Sequence, residues 1–163
     1  MDLATDIARI AEQERRLRLP RFDLDSAWRL GSRLREIALE RRVSLTIEVR
    51  LARETVFYCA MDGTTPANAD WIRRKRNTVE LLQQSSYGVG RSLERDARTL
   101  EQTMGLSTRD FASHGGGFPL LVEGVGCVGV VTVSGAPQRQ DHEMVVTALA
   151  ELCGVAGSEI ALD

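Results

Sequence analysis

His114 and His142 are the only histidines in the chain, and the first is followed at once by three glycines in SHGGGFPLL, residues 113–121. In some hydrolases an HGGG segment offers backbone N–H groups to an oxyanion hole, and a serine on a sharp G-x-S-x-G elbow attacks the carbonyl. No such elbow exists in this sequence. Gly90-Arg91-Ser92 begins one, but Glu94 stands where the closing glycine belongs. Ser134, between the two histidines, sits in VSGAP and lacks the spacing as well. Acyl transfer is therefore not expected, and no other nucleophile–base pair suggests catalysis. The plainer reading is that three glycines before an apolar run bend the chain into a strand.

The remaining chemistry-bearing residues are few. Asp141, His142 and Glu143 are consecutive, so on a helix they point in different directions and do not converge on a metal. Asp141 as an N-cap and Glu143 as a first-turn acid account for the triplet. Gly124-Val125-Gly126-Cys127-Val128-Gly129 matches G-x-G-x-x-G literally. β-rich sequence continues beyond it, whereas a dinucleotide site needs a helix there, so the glycines are read as a turn with close strand packing. Cys59, Cys127 and Cys153 are odd in number, far apart and in apolar surroundings, which suits neither a disulfide framework nor a zinc site.

The run WIRRKRN carries four consecutive cations, Arg73, Arg74, Lys75 and Arg76. On a helix Arg73, Arg76, Asn77 and Glu80 share a face, with Glu80 one turn beyond Arg76. Two readings stay open. The face is solvated or pairs with a neighbouring subunit, or it is a basic patch for a carboxylate, phosphate or propionate-bearing ligand. Of the 21 basic residues only Lys75 is lysine.

The elements that must position these residues follow from hydrophobic period. Residues 2–18 read as an N-terminal helix, interrupted at LPRFD because Pro20 disfavours helix before it. A second helix starts from Asp23 or Asp25 and buries Ala27, Leu30, Leu34, Ile37 and Ala38. VSLTIEVRL alternates strictly and predicts a half-buried strand, paired as a hairpin with TVFYCAM. A helix from about Asn68, with Asp70 as a cap, carries Trp71, Lys75, Thr78, Val79 and Leu82 along one stripe. SSYGVGRS reads as a break, followed by a polar helix closed by Gly105. A second strand pair folds near residues 123–126, and a last helix buries Val145, Ala148, Leu149 and Leu152. A fifth strand is sought near residues 87–89 or 111–114.

This order predicts one α+β domain over residues 1–163, with residues 1–20 as a helical extension: a central antiparallel sheet of about five strands with helices packed on both faces. A net charge of −2 gives the whole molecule no drive toward nucleic acid or an acidic membrane. Neither a signal peptide nor an apolar run of roughly 18–20 residues is read in the chain, so a cytoplasmic location is expected.

The blocks DGTTPANADWIRRKRN, SSYGVG, FASHGGGFPLLVEG and VGVVTVSGAPQRQDHEMVVTAL, in that order, resemble the uncharacterised cytosolic branch of the haem-degrading-domain superfamily, also called GlcG/HbpS-like. The resemblance runs from about residue 22 to residue 152. It implies a single α+β domain that assembles into symmetric homo-oligomers, and some relatives bind haem or a corrinoid-related partner. Haem ligation in relatives can use a histidine in the early helix. Here DSAWRLGSRLREIALERR contains none, and His114 is the substitute. Two expectations follow. One is a small-ligand-binding protein, for haem or another anionic ligand, with His114, Arg73, Arg76 and the backbone of Gly115, Gly116 and Gly117 forming the site. The other is a non-catalytic assembly module in which Arg73, Arg74 and Arg76 pair across subunits.

Overall fold

The computed structural model describes residues 2–162. Helix α1 (Leu3–Arg16) leads into a two-residue strand β1 (Arg18–Leu19) and helix α2 (Leu24–Glu40). Strands β2 (Thr46–Leu51) and β3 (Glu54–Ala60) form the first hairpin, turning at Ala52 and Arg53, both with positive φ. Helices α3 (Pro66–Leu82), α4 (Ser86–Arg95) and α5 (Leu100–Met104) precede the second hairpin, β4 (Gly117–Val122) and β5 (Gly126–Ser134). Helix α6 (Gln138–Cys153) and the short α7 (Gly157–Ile160) close the chain.

The five strands lie in one sheet in the order β1-β4-β5-β2-β3. Four of them are antiparallel neighbours, as the alternating hairpins require. The fifth strand is β1, and it runs parallel to β4. The sheet is therefore mixed, and neither sequence candidate for the fifth strand is one: residues 87–89 lie in α4 and 111–114 in a loop.

The period-two pattern of β2 sorts the two faces. Ile47 and Val49 pack with Val131, Val133, Phe118 and Leu120 in one apolar core, closed by Leu30, Leu34 and Ile37 of α2 and Met144, Val145 and Leu149 of α6. Each such side chain contributes about 1.5–3 kcal/mol by leaving water. The opposite face, Thr46 and Glu48, is not solvated as a half-buried strand would be. It lies under α3 and is equally buried. Glu48 is tolerated there because Arg76 of α3 donates to its carboxylate at 2.8 Å and Thr55 donates at 3.0 Å.

The start of α2 agrees with expectation and that of α3 does not. Asp23 does cap α2, accepting from the Ser26 N–H at 2.8 Å. Helix α3 begins earlier than Asp70, with Thr65 as N-cap, Pro66 in its first turn and the Asn68 carboxamide accepting from the Thr65 N–H at 2.9 Å. SSYGVGRS continues as α4 and does not break the chain. Its glycines are required by close approach, since a Cβ at Gly90 would lie 2.0 Å from the Ser113 carbonyl oxygen. Gly105, with φ +68, ends α5 as expected.

Candidate functional site

A cleft of about 250 Å³ opens where the end of β5 meets the start of α6, beneath the HGGG loop and beside α3. Its floor is Lys75 and Asp141. Its rim carries Trp71, His114, Asn68 and Gln138.

Lys75 reaches the floor because it occupies the sheet-facing stripe of α3 with Ile72 and Val79, and it is more deeply buried than its basic neighbours. Its ammonium donates to Oδ2 of Asp141 at 2.9 Å and to the Val133 carbonyl at 3.0 Å. The side chains of the pair are 4% and 2% exposed. Asp141 is not the N-cap of α6, which is Pro137. It lies in the first turn, where its other oxygen accepts from the Ala136 N–H at 3.0 Å and its charge suits the helix dipole. Burial pushes Lys75 below its ordinary value, with Asp141 offsetting part of that, and pushes Asp141 above its own, with Lys75 offsetting part. Burial thus disfavours the charged form of both groups, and their mutual contact favours it.

The three glycines fit this neighbourhood. A Cβ at Gly116 would sit 2.5 Å from the Val133 oxygen and 2.9 Å from the Lys75 nitrogen, and φ there is +121°. A Cβ at Gly115 would meet the Gln138 carbonyl oxygen at 2.0 Å. The loop is clasped by Ser86, which donates to the His114 carbonyl at 2.5 Å and accepts from the Gly117 N–H at 3.0 Å. The Gly115 N–H donates to the Gln138 carboxamide oxygen at 3.3 Å. The N–H groups of Gly115 and Gly117 thus hold the loop closed over the ion pair.

His114 is half-buried at the rim, with its ring edge-on to Trp71 at 4.9 Å between centroids. Burial first, then the charges of Lys75 and Arg74, lowers its pKa, so the imidazole is neutral at neutral pH and one ring nitrogen is free to accept. Arg74 lies over the Trp71 ring, 4.4 Å from its centroid.

Arg73 and Arg76 do not join His114 in the cleft. Arg73 pairs with Asp70 at 3.1 Å and Asp110 at 2.9 Å. Arg76 pairs with Glu48, and Glu80 pairs instead with Arg50 at 3.0 Å. Together with Arg74, which donates to the Thr108 carbonyl at 3.0 Å, and Asn77, which donates to the Asp110 carbonyl at 2.9 Å, Arg73 pins the loop that carries His114 onto α3. Sequence reasoning passed over Lys75 and Asp141 as site residues. The signal was present for Lys75: the chain's single lysine, placed on a stripe that is apolar apart from Thr78.

Among the described residues no group of three or more His, Cys, Asp or Glu side chains is placed to hold a metal ion, and no helix is long and apolar enough to cross a membrane. The cleft is smaller than the roughly 300–1,000 Å³ typical of pockets for drug-sized ligands.

Residues 22–150 match the family of haem-degrading HbpS-like proteins. A UPF0303 protein of Sinorhizobium medicae is 51% identical over the whole of this chain and 99% of its own length. One from Azotobacter vinelandii is 50% identical over the whole chain and 98% of its own. Among solved structures, the Ybr137w protein superposes with a TM-score of 0.84 at 25% identity, covering 92% of this chain and 89% of that one. A PduOC–heme complex superposes with a TM-score of 0.69 at 17% identity, covering 79% and 93%, which is a likeness of fold.

Proposed function

The chain belongs to the HbpS-like haem-degrading family, and from that premise we propose that it is a binding protein for a compact anionic ligand held in the Lys75–Asp141 cleft. The observation that carries this reading is the placement of a buried amine at the floor of an open cleft, at the N-terminal end of a 16-residue helix. A charged pair is costly to bury and is not needed for the fold, since apolar side chains of similar size do as well or better. Its position makes sense where a polar group docks against it. The neutral His114 imidazole donates its one N–H to the ligand, the Asn68 and Gln138 carboxamides contribute further polar contacts, and Trp71 offers an apolar wall. Arg73 and Arg76 serve the fold of the site and not the ligand. Haem, which the solved PduOC complex holds, is not the ligand this reading favours for a cleft of about 250 Å³.

Trp71 fluorescence in a Trp28→Phe background tests the reading, with small carboxylates, inorganic phosphate and haem titrated separately. Saturable quenching by a carboxylate or phosphate that is lost in His114→Ala supports it. A flat response to the small anions with a Soret shift for haem overturns it.

A second reading concerns assembly and has its own observation. Leu24, Trp28 and Leu39 of α2 and Tyr58 of the edge strand β3 are all at least half exposed. Such a cluster beside an open sheet edge suits contact between copies of the chain in a homo-oligomer. Light scattering of Trp28→Glu tests it: a fall in mass supports assembly through this face, and an unchanged mass sinks it.

A further inference from the structure

We infer that Lys75 is a covalent anchor, and that the ligand of the cleft is a small oxo acid whose carbonyl carbon condenses with the Lys75 amine. The inference rests on the ligand-cleft reading above and names the chemical class of its ligand.

Three observations converge on it. The amine is at the floor of an open cleft and has two acceptors among the described residues, Asp141 and the Val133 carbonyl, for its three N–H bonds as an ammonium. Its partner is a carboxyl group 2.9 Å away, close enough to exchange a proton with the amine, and burial pushes the amine below and the carboxyl above their ordinary values. The space beside the nitrogen is kept free by Gly116, where any side chain would intrude to 2.9 Å. A nucleophilic lysine needs this combination: a desolvated amine, an adjacent proton carrier and room for a carbonyl. The start of α6 at the same cleft gives the ligand's carboxylate a positive dipole end to face.

The step balances without an outside reagent. The neutral amine attacks the carbonyl carbon and a C–N bond forms. The carbonyl π pair moves to oxygen, which takes the proton from Asp141, and an N–H proton returns to the Asp141 carboxylate. The resulting carbinolamine hydroxyl then takes the Asp141 proton and leaves as water. An iminium remains on Lys75, facing the Asp141 carboxylate.

The sequence makes the test clean, because Lys75 is the chain's only lysine. The full chain is incubated with pyruvate, or with lactate as its carbonyl-free counterpart, then treated with borohydride and mapped by peptide mass. A reduced adduct on Lys75 with pyruvate alone, at least tenfold weaker in Asp141→Asn protein that keeps its circular dichroism, bears the inference out. Absence of an adduct, or an adduct formed equally on an α-amino terminus, overturns it. Trp71 quenching by both pyruvate and lactate with no adduct overturns the covalent step while leaving the ligand cleft standing.

Discussion

The Lys75 ammonium and the Asp141 carboxylate meet at 2.9 Å in a setting where neither side chain is more than 4% exposed. Removing one member leaves the other buried without its partner, whereas removing both leaves an apolar contact. Lys75→Met and Asp141→Leu are each expected to cost about 3 kcal/mol in urea unfolding. The double variant is expected to recover at least half of the summed loss. Two small, additive losses would show that the pair is not energetically coupled.

Gly116 tests the loop over that pair. At this position a side chain meets both a φ of +121° and contacts of 2.5 and 2.9 Å with the Val133 oxygen and the Lys75 nitrogen. Gly105 has φ +68° but nothing within 4 Å. Gly105→Ala should therefore cost about 1 kcal/mol, the backbone part alone. Gly116→Ala should cost at least about 2 kcal/mol more, because carbonyl and amine must move as well. Equal thermal shifts in the two variants would remove steric crowding as the reason for HGGG.

The strands with clean alternation, the hairpins and the apolar faces of α2 and α6 were legible because burial dictates residue type with a fixed period. Strand β1 was not, since two residues before Pro20 carry no period and are strand only because β4 offers them a partner. Helix α4 was misread for a related reason: Gly88 and Gly90 look like breakers, yet they are small because Ser113 and Ile10 approach the helix. At the site, His114 was visible as a rare residue beside glycines. Arg73 and Arg76 drew attention by charge, but charge in a sequence does not say whether a partner is already present. Asp110 and Glu48, 37 and 28 positions away, supply those partners.

That distinction gives a third prediction. Arg76→Ala strands Glu48, which is 5% exposed, and is expected to cost about 3 kcal/mol in chemical denaturation. Arg73→Ala breaks pairs at a partly exposed surface and is expected to cost less than about 1 kcal/mol. Arg76→Ala should not change Trp71 quenching by small anions. Loss of quenching in folded Arg76→Ala protein would return that residue to the ligand site.

His142 is a second buried titratable group, and it ties the chain ends to α6. Its Nε2 lies 2.8 Å from the Gln13 carboxamide oxygen, while the Gln13 nitrogen donates to the Ile160 carbonyl at 2.7 Å. The proton therefore sits on Nε2, and Nδ1 is enclosed with no partner among the described residues. Complete burial, reinforced by the Arg139 charge, lowers the pKa from 6.5 to about 3. A histidine with a depressed folded value is neutral in the native state and gains its proton on unfolding. Its contribution to stability is fully present above pH 6.5 and is lost as pH falls from there toward 3. The loss approaches about 1.4 kcal/mol per pH unit within that window. His142→Gln retains a donor toward Gln13 and removes the titration. The stability difference between wild type and His142→Gln should shift by about 2 kcal/mol, to the detriment of wild type, from pH 8 to pH 5. A difference that stays constant over that interval would mean that His142 opens to solvent before it is protonated.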